Sequence, residues 1–217
     1  MATEHEAFNL DRRYGHILRD FKATNCVVSL RNQLKEVLID KPLMKHCLEL
    51  MPIDFNIELA RVSSELGYNH LFLYRENPES RLLSLFLAQT TGIWGPLQAK
   101  KIDIDSKIFD TDIAINKLLD HERSCRNSIR RIHEELKGLN VGVEAVSFEN
   151  LYESDEDKTT LLRKVFDSLI STDTLIPAEL LAGLQPAGQG TKKYYDEFPN
   201  YQEFIRQAKL LGTLELE

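Results

Sequence analysis

The residues best placed to do chemistry lie in Tyr74-Arg75-Glu76-Asn77-Pro78. The apolar run His70-Leu71-Phe72-Leu73-Tyr74 before them reads as a strand, and Asn77 and Pro78 suit the N-cap and first position of a following helix. A strand that feeds a helix leaves backbone N–H groups and the positive end of the helix dipole at the sheet's carboxyl edge. Proteins of the α/β class hold ligands there. Arg75 adds a forked cation suited to phosphate or sulfate, and Ser84, in the helix, adds a hydroxyl. A plainer alternative stays open: Arg75 pairs with Glu76 or Glu79, and Ser84 is a small packing residue.

Other polar clusters carry weaker signals. The six histidines show no metal-ligand spacing, and His121-Glu122 lacks the second histidine of H-E-x-x-H because position 125 is Cys. No metal is expected. His46, beside a strand, reads as a core or edge histidine with its hydrogen bonds met. Arg123, Arg126 and Arg130 share one helix face, where they either meet an anion or pair with neighbouring carboxylates. Cys26, Cys47 and Cys125 are too widely spaced for a disulfide framework or a structural zinc site, which fits a reducing cytoplasmic setting.

The elements that must position these residues alternate. Helical spacing runs through Leu10–Phe21 and Arg31–Ile39, and a brief strand is read at Leu43–Leu48. A helix from Asp54 to Leu66 precedes the strand His70–Tyr74, which is apolar throughout and so is expected to be central and covered on both faces. The helix after Pro78 is apolar on most sides, hence buried. The longest helix is expected from Asp110 to Lys137, its apolar stripe interrupted by Glu122. A strand at Val143–Phe148, a helix around Leu161–Leu169 and a last helix from Tyr201 complete the pattern. Such alternation predicts an α/β fold, three-layered with a mainly parallel sheet, although three strands are few for one domain spanning residues 1–217.

Composition sets the outer bounds. The chain has 217 residues, 42% of them hydrophobic and 28% charged, enough to bury a core without staples. With 27 Lys and Arg against 34 Asp and Glu, the net charge of −7 disfavours nucleic acid and anionic membranes as partners, so a bound anion needs a local basic pocket. No apolar run reaches membrane-spanning length, and the N-terminus lacks the pattern of a secretion signal. The expectation is a soluble cytoplasmic protein.

The segment Arg75-Glu-Asn-Pro-Glu-Ser-Arg-Leu-Leu-Ser84, followed by Leu-Phe-Leu-Ala88-Gln-Thr-Thr-Gly-Ile-Trp94, resembles the 3′-phosphate-binding segment of sulfotransferases. These enzymes use 3′-phosphoadenosine 5′-phosphosulfate (PAPS), and the likeness is to the bacterial branch related to the trehalose and Nod-factor enzymes. Val146-Ser-Phe-Glu-Asn-Leu151 and Pro199-Asn-Tyr-Gln-Glu-Phe204 are similar to later segments of that family, so the likeness extends over roughly residues 43–212.

The resemblance implies a P-loop NTPase-like sulfotransferase fold and transfer of a sulfuryl group from PAPS to the hydroxyl of a carbohydrate or other small acceptor. It implies nucleotide contacts from Arg75 and Ser84, and from Lys192 and Lys193 after a glycine-bearing loop. His5-Glu6-Ala7-Phe8-Asn9 matches a stretch in which some relatives carry the general base, which makes Glu6 the catalytic carboxylate.

Two departures stand out. Arg75 lies one residue further from Ser84 than the family's pattern asks, so the strictly matching position is Glu76. No Gly/Ser/Thr-rich 5′-phosphosulfate loop is found, which implies a chain beginning past the first strand, loop and helix. The alternative to an enzyme is a degenerate or non-catalytic module of that fold, its uncovered sheet edge buried by self-association.

Overall fold

The computed structural model of this protein describes residues 3–92, 110–139, 141–153, 158–170 and 192–216. They form a mixed helix-and-strand protein with a small parallel sheet. The chain divides into two compact units. The first comprises Met1–Phe72, Cys125–Glu144 and Phe166–Thr172, and the second Leu73–Ser124, Ala145–Val165 and Asp173–Glu217.

In the first unit, β1 (Thr3–His5) pairs in parallel with β2 (Leu43–Lys45), Thr3 opposite Leu43 and His5 opposite Lys45. A parallel pair needs a long crossover, supplied here by α1 (Gly15–Thr24) and α2 (Val27–Leu38). Ile17, Leu18 and Phe21 of α1, Leu30, Leu34 and Leu38 of α2, and Phe55 and Val62 of α3 (Ile53–Glu65) close one core around Phe8. Gly15 is required at the start of α1, because a Cβ there would lie 2.4 Å from the Asn9 carbonyl oxygen. Ion pairs tie α2 to α3. Arg31 bonds both Glu58 and Glu65, and Lys35 reaches Glu65 at 3.2 Å.

In the second unit, α4 (Pro78–Thr91) buries Leu82, Leu83, Phe86 and Leu87 against Leu118 and Leu119 of α5 (Ile115–Lys137) and Phe204 and Ala208 of a C-terminal helix, Tyr201–Lys209. Phe86 meets Phe198 edge-on at 5.3 Å. The side-chain amide of Asn200 both accepts from the Ile113 N–H (2.8 Å) and donates to the Ile113 carbonyl (2.9 Å). The strands β3 (His70–Tyr74) and β4 (Val143–Ser147) form a second two-stranded sheet, each starting in the first unit and ending in the second. The helix after β4 is α6 (Lys158–Ile170), and Tyr201–Lys209 is α7.

Several expectations shift. Strand β1 is too short and polar to be visible as a pattern. Helix α2 starts a turn earlier than its apolar spacing suggests, because Val27 and Val28 are exposed and add nothing to the buried stripe. Helix α3 begins at Ile53, which puts Asp54 in its first turn, and α5 begins at Ile115 where Asp110 was expected. The stretch expected as strand Leu43–Leu48 is a strand only to Lys45. Most instructive is β3. Phe72 is buried, but Leu71 and Leu73 are 52% and 53% exposed. A two-stranded sheet offers its alternate side chains different environments, so an all-apolar run does not require two covered faces. Glu122, the interruption in the α5 stripe, is 2% exposed and pairs with Arg81 of α4, whose Nε donates at 3.1 Å. Among the described residues, no helix is long and apolar enough to cross a membrane.

Candidate functional site

The turn from β3 into α4 has the sequence-expected form. Asn77 is the N-cap in extended conformation, and Pro78 occupies the first helical position. Asn77 makes no side-chain capping bond, however. Glu149 instead holds the turn just ahead of the helix, its carboxylate accepting the backbone N–H of Glu76 at 3.0 Å and of Asn77 at 3.4 Å. Glu149 begins the π-helical turn Glu149–Glu153 just after β4, so pairing of β3 with β4 delivers it to the mouth of α4. A carboxylate suits this spot because free N–H groups and the dipole both favour negative charge.

Phe148 supports Arg75. The guanidinium carbon lies 3.3 Å from the centre of the Phe148 ring, and Tyr152 stacks on the same ring at 4.4 Å and 29°. Arg75 and Tyr152 therefore both pack against the Phe148 ring. The Arg75 contact is of the cation–π kind. The far side of the turn is stitched to the C-terminal segment: the Leu214 N–H donates to the Glu76 carbonyl at 3.0 Å. Burial pushes the nearby Tyr74 hydroxyl above its ordinary pKa, with the charges of Glu76 and Glu149 acting in the same direction.

A cleft of about 420 Å³ opens beside this turn. The turn and α4 contribute Arg75, Asn77, Glu79 and Ser80, the π-helical turn after β4 contributes Glu149, and α7 contributes Tyr201, Ile205 and Lys209. Two cations, two carboxylates, two hydroxyls and an amide can bind a small polar molecule with an anionic end, and Arg75 and Lys209 are the groups suited to that end.

Of the residues singled out from sequence, Arg75 lines the cleft. Ser84 is half-buried further along α4 and is not among the lining residues; Ser80, one turn earlier, is. Lys192 and Lys193 open the 3₁₀ segment Lys192–Glu197, and their side chains lie outside the described part of the molecule. Ile93 and Trp94, and the glycine-bearing loop Gln185–Gly190, lie outside the described residues as well.

Glu6 belongs to the first unit. Its backbone has a positive φ of 51°, Asn9 Nδ2 donates to its carboxylate at 3.1 Å, and Lys45 Nζ is 3.2 Å away. Nearby in the same unit, His46 Nε2 lies 2.7 Å from Asn56 Oδ1, while the Asn56 amide donates to the Leu48 carbonyl at 2.9 Å. That order makes Nε2 the donor and leaves the lone pair on Nδ1, which has no hydrogen-bond partner. Burial holds the imidazole below its ordinary pKa. Arg123 pairs with Asp120 at 2.7 Å, which is the pairing alternative for that helix face, and Arg126 is buried.

No protein-family model, curated protein or solved structure matches the chain.

Sequence reasoning passed over Phe148, Glu149, Ser80 and the α7 contribution. The α7 residues carried a signal, since Tyr201, Ile205 and Lys209 repeat every fourth position and so share one helix face. Phe148 and Glu149 fell in the stretch Val146–Leu151 that resembles a family segment, but nothing in it pointed to Arg75 or to the start of α4. Their roles depend on β4 pairing with β3, which is a long-range fact.

Proposed function

We propose that the protein is a sulfotransferase-like nucleotide binder whose cleft at the β3–α4 turn takes the phosphorylated end of 3′-phosphoadenosine 5′-phosphosulfate. The observation that carries this reading is Arg75, a guanidinium at a strand-to-helix turn beside an open cleft that also holds Lys209 and Ser80. Forked N–H donors fit phosphate oxygens two at a time, and a second cation adds charge without fixing geometry. In the reaction the resemblance implies, the oxygen of an acceptor hydroxyl attacks sulfur in line. The sulfur–oxygen bond to the 5′-phosphate breaks, and 3′,5′-adenosine bisphosphate leaves. The hydroxyl proton passes to a carboxylate, for which the resemblance nominates Glu6. The P-loop NTPase-like fold, the carbohydrate or small-molecule acceptor and a cytoplasmic location belong to the same proposal.

Calorimetric titration of the full chain with 3′,5′-adenosine bisphosphate tests it. Saturable binding is expected, weakened roughly 10- to 100-fold in Arg75→Ala, the usual worth of hydrogen bonds to a charged group. Equal affinity in the two proteins, or no heat with either, overturns the reading.

One observation favours the non-catalytic alternative. The N–H groups of Glu76 and Asn77, which an incoming anion would use, already hold the Glu149 carboxylate. On that reading the cleft is a self-satisfied relic of an anion site and the chain serves as a binding or assembly module. Nucleotide binding by Glu149→Gln alone, and not by the unaltered chain, is its signature.

A further inference from the structure

We propose that Phe148 is a positioning residue for Arg75, holding the guanidinium at the cleft. The inference deepens the nucleotide-binding reading and rests on it for its functional meaning. An arginine on four rotatable bonds ordinarily loses much conformational freedom when it grips a ligand, and that loss is subtracted from affinity. Here the loss is taken in advance. The Arg75 guanidinium lies 3.3 Å above the Phe148 ring, and Tyr152 packs on that ring at 4.4 Å.

The Tyr152 ring belongs to the short π-helical turn Glu149–Glu153, whose first residue fixes the backbone of Glu76 and Asn77 on either side of their peptide link. One segment after β4 therefore clamps both the side chain of Arg75 and the main chain that follows it. All three stacked side chains are half-buried, which places the stack at the rim of the interior, where a cation–π contact is only partly weakened by water.

The chemistry of the stack also selects the ligand's mode of approach. A guanidinium laid flat on a ring has that face closed to other planar groups, so recognition falls to its N–H edges, which match oxyanions. The class of ligand group expected at Arg75 is a tetrahedral oxyanion such as phosphate or sulfate, and not a nucleobase stacked on the ring-bound face.

Two readouts on the full chain test the role, with Phe148→Leu to remove the ring at similar bulk and Phe148→Tyr to restore it. In NMR spectra the Arg75 Nε–H and Cδ protons are expected upfield of ordinary arginine positions through the ring current, to return to ordinary positions in Phe148→Leu, and to stay upfield in Phe148→Tyr. In titrations with 3′,5′-adenosine bisphosphate, Phe148→Leu is expected to bind about 5-fold more weakly and Phe148→Tyr like the unaltered protein. Arg75 resonances unmoved by Phe148→Leu overturn the inference, as does undiminished nucleotide affinity in that variant. If the unaltered protein binds no nucleotide while the resonances move as described, Phe148 still positions Arg75, and it is the nucleotide reading that fails.

Discussion

Both units pair polar groups in their interiors, but of the two the second also gathers a set of them around an open cleft. In the first, buried or half-buried polar groups are mostly consumed internally. Glu58, 4% exposed, is bonded by Arg31, and Asn56, 1% exposed, bridges His46 to the Leu48 carbonyl. Ser63 Oγ takes a hydrogen bond with His70 at 2.8 Å while donating into its own helix. In the second unit, polar groups of both signs gather around an open cleft. A buried network rigidifies and specifies a fold, whereas a half-exposed cluster keeps its groups usable. The contrast explains why Arg75 is a better candidate for ligand contact than any histidine of the first unit.

The comparison can be broken most forcefully through the cores. Phe55 is fully buried and meets Phe8 at 5.4 Å and Phe21 at 6.0 Å, so Phe55→Ala should cost about 3–5 kcal/mol in urea denaturation. Phe204→Ala should cost a similar amount in the second unit. If only one of the two variants is destabilised, the units do not share the burden of stability.

Next comes the buried ion pair of the second unit. Arg81→Met takes a guanidinium partner from the buried Glu122 carboxylate and should cost about 3 kcal/mol, whereas the double change Arg81→Met with Glu122→Leu should recover most of it. An additive double mutant would mean that the two charges are not coupled.

Acid separates the units at comparable size. Among the described residues, the histidines whose pKa is lowered by burial, His46, His70 and His133, all belong to the first unit. For His70 the folded value falls from 6.5 to about 4. The unfolded chain therefore binds more protons than the folded one between these values. Stability is full above pH 6.5 and declines as the pH drops toward 4, by on the order of 3 kcal/mol from this group. Urea midpoints taken across that range should fall with pH, and His70→Gln should flatten the slope. A slope unchanged in the variant removes His70 from the account.

The smallest effect is expected at the cleft. Glu149→Ala removes the acceptor of two N–H groups in the turn just before α4 and should cost about 1 kcal/mol, near the usual net worth of an intramolecular hydrogen bond. A loss several times larger would make Glu149 a structural keystone and not an exchangeable anion.

What could be read from the sequence follows from the range of the interactions. Helices α3, α4 and α7, the strands β3 and β4, and the Asn77-Pro78 helix start depend on local spacing and were legible to within a turn, whereas α1 starts at Gly15, five residues after the Leu10 that its apolar spacing suggested. The short strand β1 was not, because its three residues gain definition only from pairing with Leu43–Lys45. Glu122 looked like an error in an apolar stripe until Arg81, 41 positions away, supplied its partner. At the site, Arg75 was legible because cation and turn are adjacent in sequence. Phe148 and Glu149 were not, since their use arises 73 residues away from the groups they hold.

The course of the chain through the two units has a practical consequence. The polypeptide leaves and re-enters each unit repeatedly, at positions such as Phe72/Leu73, Ser124/Cys125 and Glu144/Ala145. No single scission can therefore liberate either half intact. Deletions from the N-terminus as far as Phe72 remove only first-unit residues and deletions from the C-terminus back to Asp173 only second-unit residues, but neither unit can be removed whole without cutting into the other, so dissecting this protein calls for point changes or circular permutation in place of shortening.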